Sequence, residues 1–253
     1  LLRVKGLASE SLRLLEQVDR SSLERRAVTE IEVARVNSLA SLRQRERALQ
    51  QLREVEQRAE ADGSPHSCEV RLLRAELLQT ADPVESETFY RSVVDAGTSE
   101  CGPVLRGRAH TGLGQLLLTR GDPHGALREN ERARELFTTA GDLRHLAQTR
   151  SNIGLTLFML GNLEPAREQF ALAASELTRT GDVVMLNKVY SNLASICIAL
   201  ERLEDARRYA RQLRHTSKQA GDRFFEAVSF GLEAEAANEG GEQRACIALC
   251  NSG

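Results

Sequence analysis

The sequence predicts an all-α protein built from repeated helical hairpins, and two observations carry that prediction. Ala140-Gly141-Asp142, Thr180-Gly181-Asp182 and Ala220-Gly221-Asp222 recur at intervals of 40 residues, a regularity that marks a repeat architecture. Inside the period lies a second break, at Arg120-Gly121-Asp122, at Leu160-Gly161-Asn162 and, in weaker form, at Leu200-Glu201-Arg202. Between breaks the apolar residues recur at helical spacing, as in Ile153, Leu157 and Leu160 before a turn and Leu163, Ala166, Phe170 and Ala173 after it. Each Gly-Asp supplies a residue tolerant of left-handed backbone to end one helix and a carboxylate to cap the next. Two helices per period, A and B, follow, and strand-like alternation is missing.

Taken in order, residues 1–23 carry an orphan helix with Leu7, Leu12, Leu14, Leu15 and Val18. Residues 24–102 hold divergent repeats, in phase at Leu39, Ala48, Leu52 and Val55 and again at Leu77, Ser86, Tyr90 and Val93. Residues 103–222 hold the clear ones. Their matching sets are Leu113-Gly114, Leu117, Gly121, Ala126 and Ala133, then Ile153-Gly154, Leu157, Gly161, Ala166, Phe170 and Ala173, then Leu193-Ala194, Cys197, Ala206, Ala210 and Leu213. Residues 223–253 read as a truncated last repeat, with Phe224, Val228 and Leu232 on helix A and a helix B that stops near Cys250. The whole is expected to be one domain cut at both ends from a longer chain, because solenoids need capping repeats.

These sets resemble the tetratricopeptide repeat family, whose pattern is a large residue, Leu-Gly and Tyr on helix A, then Ala, Phe and Ala on helix B. The period of 40 is longer than the usual 34 and resembles the repeats of bacterial regulators of the maltose-activator type and of animal cell-polarity adaptors. The resemblance implies a right-handed superhelical solenoid of about five to six antiparallel hairpins, with helix A lining a concave groove. Small residues such as Gly154 and Ala166 let helices A and B approach closely while larger neighbours fill the seam.

The same resemblance implies that the groove holds a protein or peptide partner. Its positions fall on Arg108, Gln115, Gln148, Ser151, Asn152, Leu155, Phe158, Lys188, Ser191, Asn192, Ser195 and Ile198, with Arg71, Thr111 and Leu118 at further matching places. Asn152 and Asn192 match the family's recurrent helix A asparagine, which pairs with a ligand backbone or with a neighbouring repeat; both uses stay open. The chaperone-tail type of groove clamps a carboxylate with a Lys and two Asn. Here Thr111 with Gln115 and Ser151 with Leu155 stand in those places, so that clamp is missing. Two other roles fit the family: a ligand- or peptide-sensing module of a bacterial transcriptional regulator or signalling ATPase, and an accessory to a phosphatase or other enzyme.

Composition narrows the classes further. A formal net charge of −2 gives no overall field for nucleic acid or an anionic membrane, and no apolar run approaches the roughly 18 residues of a membrane span. Phosphate-binding, dinucleotide, zinc-protease and nucleophile-elbow motifs are missing, so the sequence offers no catalytic residues, no metal and no cofactor. Arg120-Gly121-Asp122 spells an adhesion tripeptide but lies where the repeat needs a turn. The five cysteines are scattered without a Cys-x-x-Cys pair, which fits reduced thiols in the cytoplasm. Cys246 and Cys250, one turn apart, fit a helix core better than half a metal site. The excess of Arg over Lys, 31 to 3, fits a GC-rich bacterial genome. Arg207, Arg211, Arg214 and Lys218 line one helical stripe, open to two readings, a solvated face and a site for an acidic partner or phosphate.

Overall fold

Five aspartates set the helix starts. The side chains of Asp82, Asp122, Asp142, Asp182 and Asp222 each accept the backbone N–H three residues on, at 2.7–3.3 Å. Gly141, Gly181 and Gly221 end the preceding helices in the left-handed region, with φ of 69°, 71° and 68°. The Gly-Asp punctuation is therefore a C-cap followed at once by an N-cap.

The computed structural model describes residues 2–18, 25–61, 68–97 and 100–241. Among them lie twelve helices and no strand. They fall into two compact units, Leu1–Leu116 and Leu117–Gly253. The first holds α1 (Leu2–Glu16), α2 (Arg25–Ser41), α3 (Arg45–Ala61), α4 (Cys68–Leu78), α5 (Pro83–Val94) and most of α6 (Pro103–Thr119). The second holds α7 (Pro123–Ala140), α8 (Leu143–Met159), α9 (Leu163–Thr180), α10 (Val183–Ala199), α11 (Leu203–Ala220) and α12 (Arg223–Glu239). Within each unit consecutive helices pack on one another, as the all-α solenoid class requires.

In the second unit α8, α10 and α12 are helices A, and α7, α9 and α11 are helices B. Ala126, Ala133, Ala166, Ala173, Ala206 and Ala210 on the B helices are fully buried, so backbones approach where the side chain is a methyl. Around them Phe170, Leu177, Leu186, Val189, Leu193 and Ile196 form one cluster, and Ala194, Leu213 and Leu232 form the next. A Cβ added at Gly154 would stand 2.9 Å from the Phe170 ring. In the first unit the tightest spot is Gly112, where a Cβ would stand 2.2 Å from Tyr90; the sequence reading had not singled it out.

Three expectations need correction or limit. Cys68 and Cys101 form a disulfide, with Cα atoms 5.6 Å apart, where scattered reduced thiols were expected. No sequence spacing shows it, because the pair meets only when the loop after α5 folds back onto the start of α4. Phe224 is not core but 70% exposed, while Leu232 is buried. The final helix B, with Cys246 and Cys250, lies outside the described residues.

The turn between α10 and α11 replaces the repeat's glycine by Glu201, held at φ 57° where Gly121 and Gly161 stand at 80° and 78°. A side chain there costs about 1–2 kcal/mol, so Glu201→Gly should stabilise the protein by about 0.5–1 kcal/mol after the added chain entropy of glycine, read as a raised Tm. Gly154→Ala should do the reverse, by about 1–3 kcal/mol. Burial acts to raise the Asp142 carboxyl, but the His145 backbone N–H and ring outweigh it and hold it below the usual range. Its stabilisation is thus present above the ordinary aspartate range and lost as pH falls through the lowered value. Asp142→Ala should cost about 1 kcal/mol at neutral pH, a difference that vanishes in an acid titration of Tm.

Candidate functional site

On α8 the residues Gln148, Ser151, Asn152, Leu155 and Phe158 are spaced by three and four, so they form one stripe. On the other side Thr149, Ile153, Gly154 and Thr156 are buried. Forty residues on, α10 repeats the arrangement with Lys188, Ser191, Asn192, Ser195 and Ile198 on the stripe and Leu186, Val189, Leu193, Ala194, Ile196 and Cys197 inside. The core thus fixes the rotation of both helices and sets the two stripes in equivalent positions.

Gln148, Lys188 and Ser195 are exposed, and Ser151, Asn152, Ser191 and Asn192 are half-buried. Leu155 and Phe158 stand 41% and 39% exposed. Ile198 differs: it is half-buried against Cys197, Ala206 and Ala236 and forms a floor rather than a contact arm. Among the described residues, neither Asn152 nor Asn192 makes a side-chain hydrogen bond; Asn152 accepts only through its backbone carbonyl, from Thr156. Both amides therefore keep donor and acceptor capacity.

Further exposed apolar groups lie on the A helices: Met159 and Val184, which the sequence reading passed over, and Phe224 on α12, which was expected inside. Met159 is 58% exposed, and Val184 and Phe224 are 46% and 70% exposed. Val184 and Phe224 occupy the position two residues after each capping Asp, where α8 has Arg144, so the 40-residue period was the signal that could have found them. Arg144 lies 3.6 Å from Asp182 across the α8 and α10 starts, an exposed pair of little energetic weight.

In the first unit the expected positions are more committed. Arg108 donates to Glu76 at 2.8 Å, and Gln115 is exposed. Arg71 is turned into its own hairpin: it donates to the Ser92 carbonyl at 3.1 Å and pairs with Glu100 beside the disulfide. Of the basic stripe on α11, Arg207 pairs with Glu204 at 3.1 Å, and Arg214 pairs with Glu233 at 2.9 Å and lies over the Phe230 ring. Two of its four cations are therefore neutralised within the protein.

Repeated hairpins with a small-residue seam and an outward A-helix stripe define the tetratricopeptide type of fold. No family model matches the chain, and no curated protein does. Solved structures do. The chain is similar to the signal transduction ATPase with a tetratricopeptide repeat sensor, PH0952, from Pyrococcus horikoshii, at 14% identity and a TM-score of 0.74, over 98% of this chain and 39% of that one. PilF of Pseudomonas aeruginosa matches at 16% identity and a TM-score of 0.66, over 89% and 90% of the two chains. A Rap protein complexed with Competence and Sporulation Factor matches at 12% identity and a TM-score of 0.63, over 99% and 70%. Identities this low carry the fold alone. No helix among the described residues is long and apolar enough to cross a membrane.

Because Asn152 and Asn192 lose no internal bond on truncation, Asn152→Ala and Asn192→Ala should each shift stability by no more than about 0.5 kcal/mol. A denaturant titration showing a loss above 1–2 kcal/mol would instead assign them to holding the repeats together.

Proposed function

We propose that the A-helix stripes of α8 and α10 bind a partner polypeptide, and that the chain is a binding module, not an enzyme. One observation carries this reading: two half-buried asparagines, 40 residues apart on equivalent faces, whose amides have no partner among the described residues. An amide in that setting pairs with a peptide group, one N–H donated and one carbonyl accepted, without regard to the ligand's side chains. Leu155 and Phe158 supply apolar contact, and Ser151, Ser191 and Ser195 supply short polar groups around it. Exposed apolar groups gathered on one face and rimmed by polar residues are a feature of interaction surfaces.

The neighbouring structures are compatible with this reading. One is a Rap protein complexed with Competence and Sporulation Factor, and another is named as a sensor. The chain spans 39% of that sensor-bearing ATPase, which supports the regulatory domain of a larger protein as the setting. The cytoplasmic placement stands only if Cys68 and Cys101 are reduced in the cell, since disulfides persist in oxidising compartments. A non-reducing peptide map of protein taken from its native source decides the point.

The test begins with peptides selected from a displayed library on the intact chain and measured by calorimetry. Leu155→Arg combined with Ser195→Arg places two long cations on exposed sites, so Tm should stay within a few degrees while affinity falls at least tenfold, about 1.4 kcal/mol. Selected peptides that bind the folded double variant as tightly as the parent would remove the stripe as the site.

A further inference from the structure

The seam between helices A and B is built differently in two successive hairpins of the second unit. Between α8 and α9, Arg150 donates through Nε to Glu176 at 2.9 Å and through Nη1 to Gln169 at 3.3 Å. Arg150 and Glu176 are only 16% and 12% exposed, so this seam is closed by its own ion pair. Burial pushes the Glu176 carboxyl up despite Arg150, which marks a carboxylate held in the seam at some desolvation cost.

Forty residues on, between α10 and α11, the same three positions hold Tyr190, Tyr209 and Thr216. The tyrosine rings stack at 6.2 Å, and the Thr216 hydroxyl donates to Asn187. The carboxylate of the first seam has gone. Around it Glu168 is replaced by Arg208, Ala171 by Arg211 and Ser175 by His215. From Ala206 to Gly221 the sequence contains no Asp or Glu. An open pocket of about 430 Å³ results, lined by Tyr190, Arg208, Arg211, Gln212, His215 and Thr216.

Not every charge there is free. Arg208 pairs with Asp205 at 2.9 Å and lies 5.0 Å from the Tyr209 ring centroid. Arg211 spends only Nε, on the Arg207 carbonyl at 3.2 Å, and both its terminal nitrogens are without partners among the described residues. His215 meets Gln219 alone, at 3.0 Å. The pocket thus keeps one uncommitted guanidinium fork, an imidazole, the Gln212 amide and the Tyr190 hydroxyl around an unfilled volume.

We propose that this pocket binds a phosphate monoester. A seam closed by its own ion pair in one hairpin has, in the next, lost both partners and gained Arg208, Arg211 and His215; Asp205 answers Arg208, and the anion that would answer Arg211 comes from outside. Arginine's planar fork matches phosphate oxygens in bidentate fashion, and the volume exceeds what one carboxylate fills, leaving room for the esterified carbon beside Tyr190. At 100° per residue Tyr190 lies on the side of α10 away from Lys188 and Ser195, so the site is separate from the peptide stripe and does not rest on it. The same chemistry is presented by a small free phosphate ester and by a phosphorylated side chain of a bound protein.

The chain has no Trp and three Tyr, of which Tyr190 lines the pocket and Tyr209 stacks on it, so tyrosine fluorescence reports on the site. Methyl phosphate added to the full chain should give a saturable change, and acetate at the same ionic strength should not. Arg211→Gln should weaken binding about tenfold. Thr216→Glu, which rebuilds the carboxylate of the neighbouring seam, should fill the pocket and weaken binding by at least as much. Arg211 is exposed and Thr216 half-buried, and circular dichroism with Tm confirms that each variant is folded. A phosphoserine pentapeptide that binds more tightly than methyl phosphate, while its unphosphorylated twin does not bind, assigns the site to a phosphorylated partner; equal affinity for the two esters assigns it to a free one. No saturation by methyl phosphate or phosphopeptide up to about 10 mM, an identical response to acetate, or unchanged binding in folded Arg211→Gln and Thr216→Glu overturns the proposal.

Discussion

The constraint on which everything else depends is how closely two helices of a hairpin can come together. Fully buried alanines at positions 126, 133, 166, 173, 206 and 210 set that distance, and Gly154 lets Phe170 lie against bare backbone. Once backbones are this close, each helix has one rotation that packs, and its remaining residues are sorted into seam and surface without further choice. The A-helix stripes are a by-product of that sorting. Apart from Ile198, which packs on Cys197, Ala206 and Ala236, their residues lie outside the seam, where a repeat can change its surface without changing its packing.

Most of the fold was legible because its punctuation is chemical rather than statistical. An Asp that caps and a Gly that accepts left-handed geometry do local work, and local work shows in a sequence; Asp142, Asp182 and Asp222 were readable for that reason. The stripe positions on α8 and α10, the two asparagines included, came from the resemblance to the tetratricopeptide pattern, and the structure sets them on one exposed to half-buried face of each helix. What was not legible depends on contacts between distant residues. The meeting of Cys68 with Cys101, the closing of Arg71 onto its own hairpin and the engagement of Arg108 by Glu76 have no signature in spacing. Phe224 misled because an aromatic at helical spacing reads as core, while its first-turn position leaves it outside.

The two seams show how a repeat protein differentiates. Asp142 and Asp182 cap α8 and α10, Gly181 and Gly221 end α9 and α11, and Ala166 and Ala206 are buried at equivalent places, so the frame of α8 with α9 recurs in α10 with α11. Exchange of Arg150 and Glu176 for Tyr190 and Thr216, with Arg208, Arg211 and His215 added along the seam, converts a closed internal ion pair into an open basic pocket. Such changes alter what one hairpin displays, while the fully buried Ala166 and Ala206 keep the close approach of its helices.

The Cys68–Cys101 bond joins the first residue of α4 to the segment leading into α6, with a sequence separation of 33. Everything between, the whole α4–α5 hairpin, sits inside a covalent ring. Under tension applied to the chain ends, force bypasses that ring through the sulfur bridge, and roughly 110 Å of contour length stays hidden at about 3.4 Å per residue. A repeat array stretched between two anchored neighbours would yield elsewhere first, and its oxidised and reduced forms would differ in reach by that length.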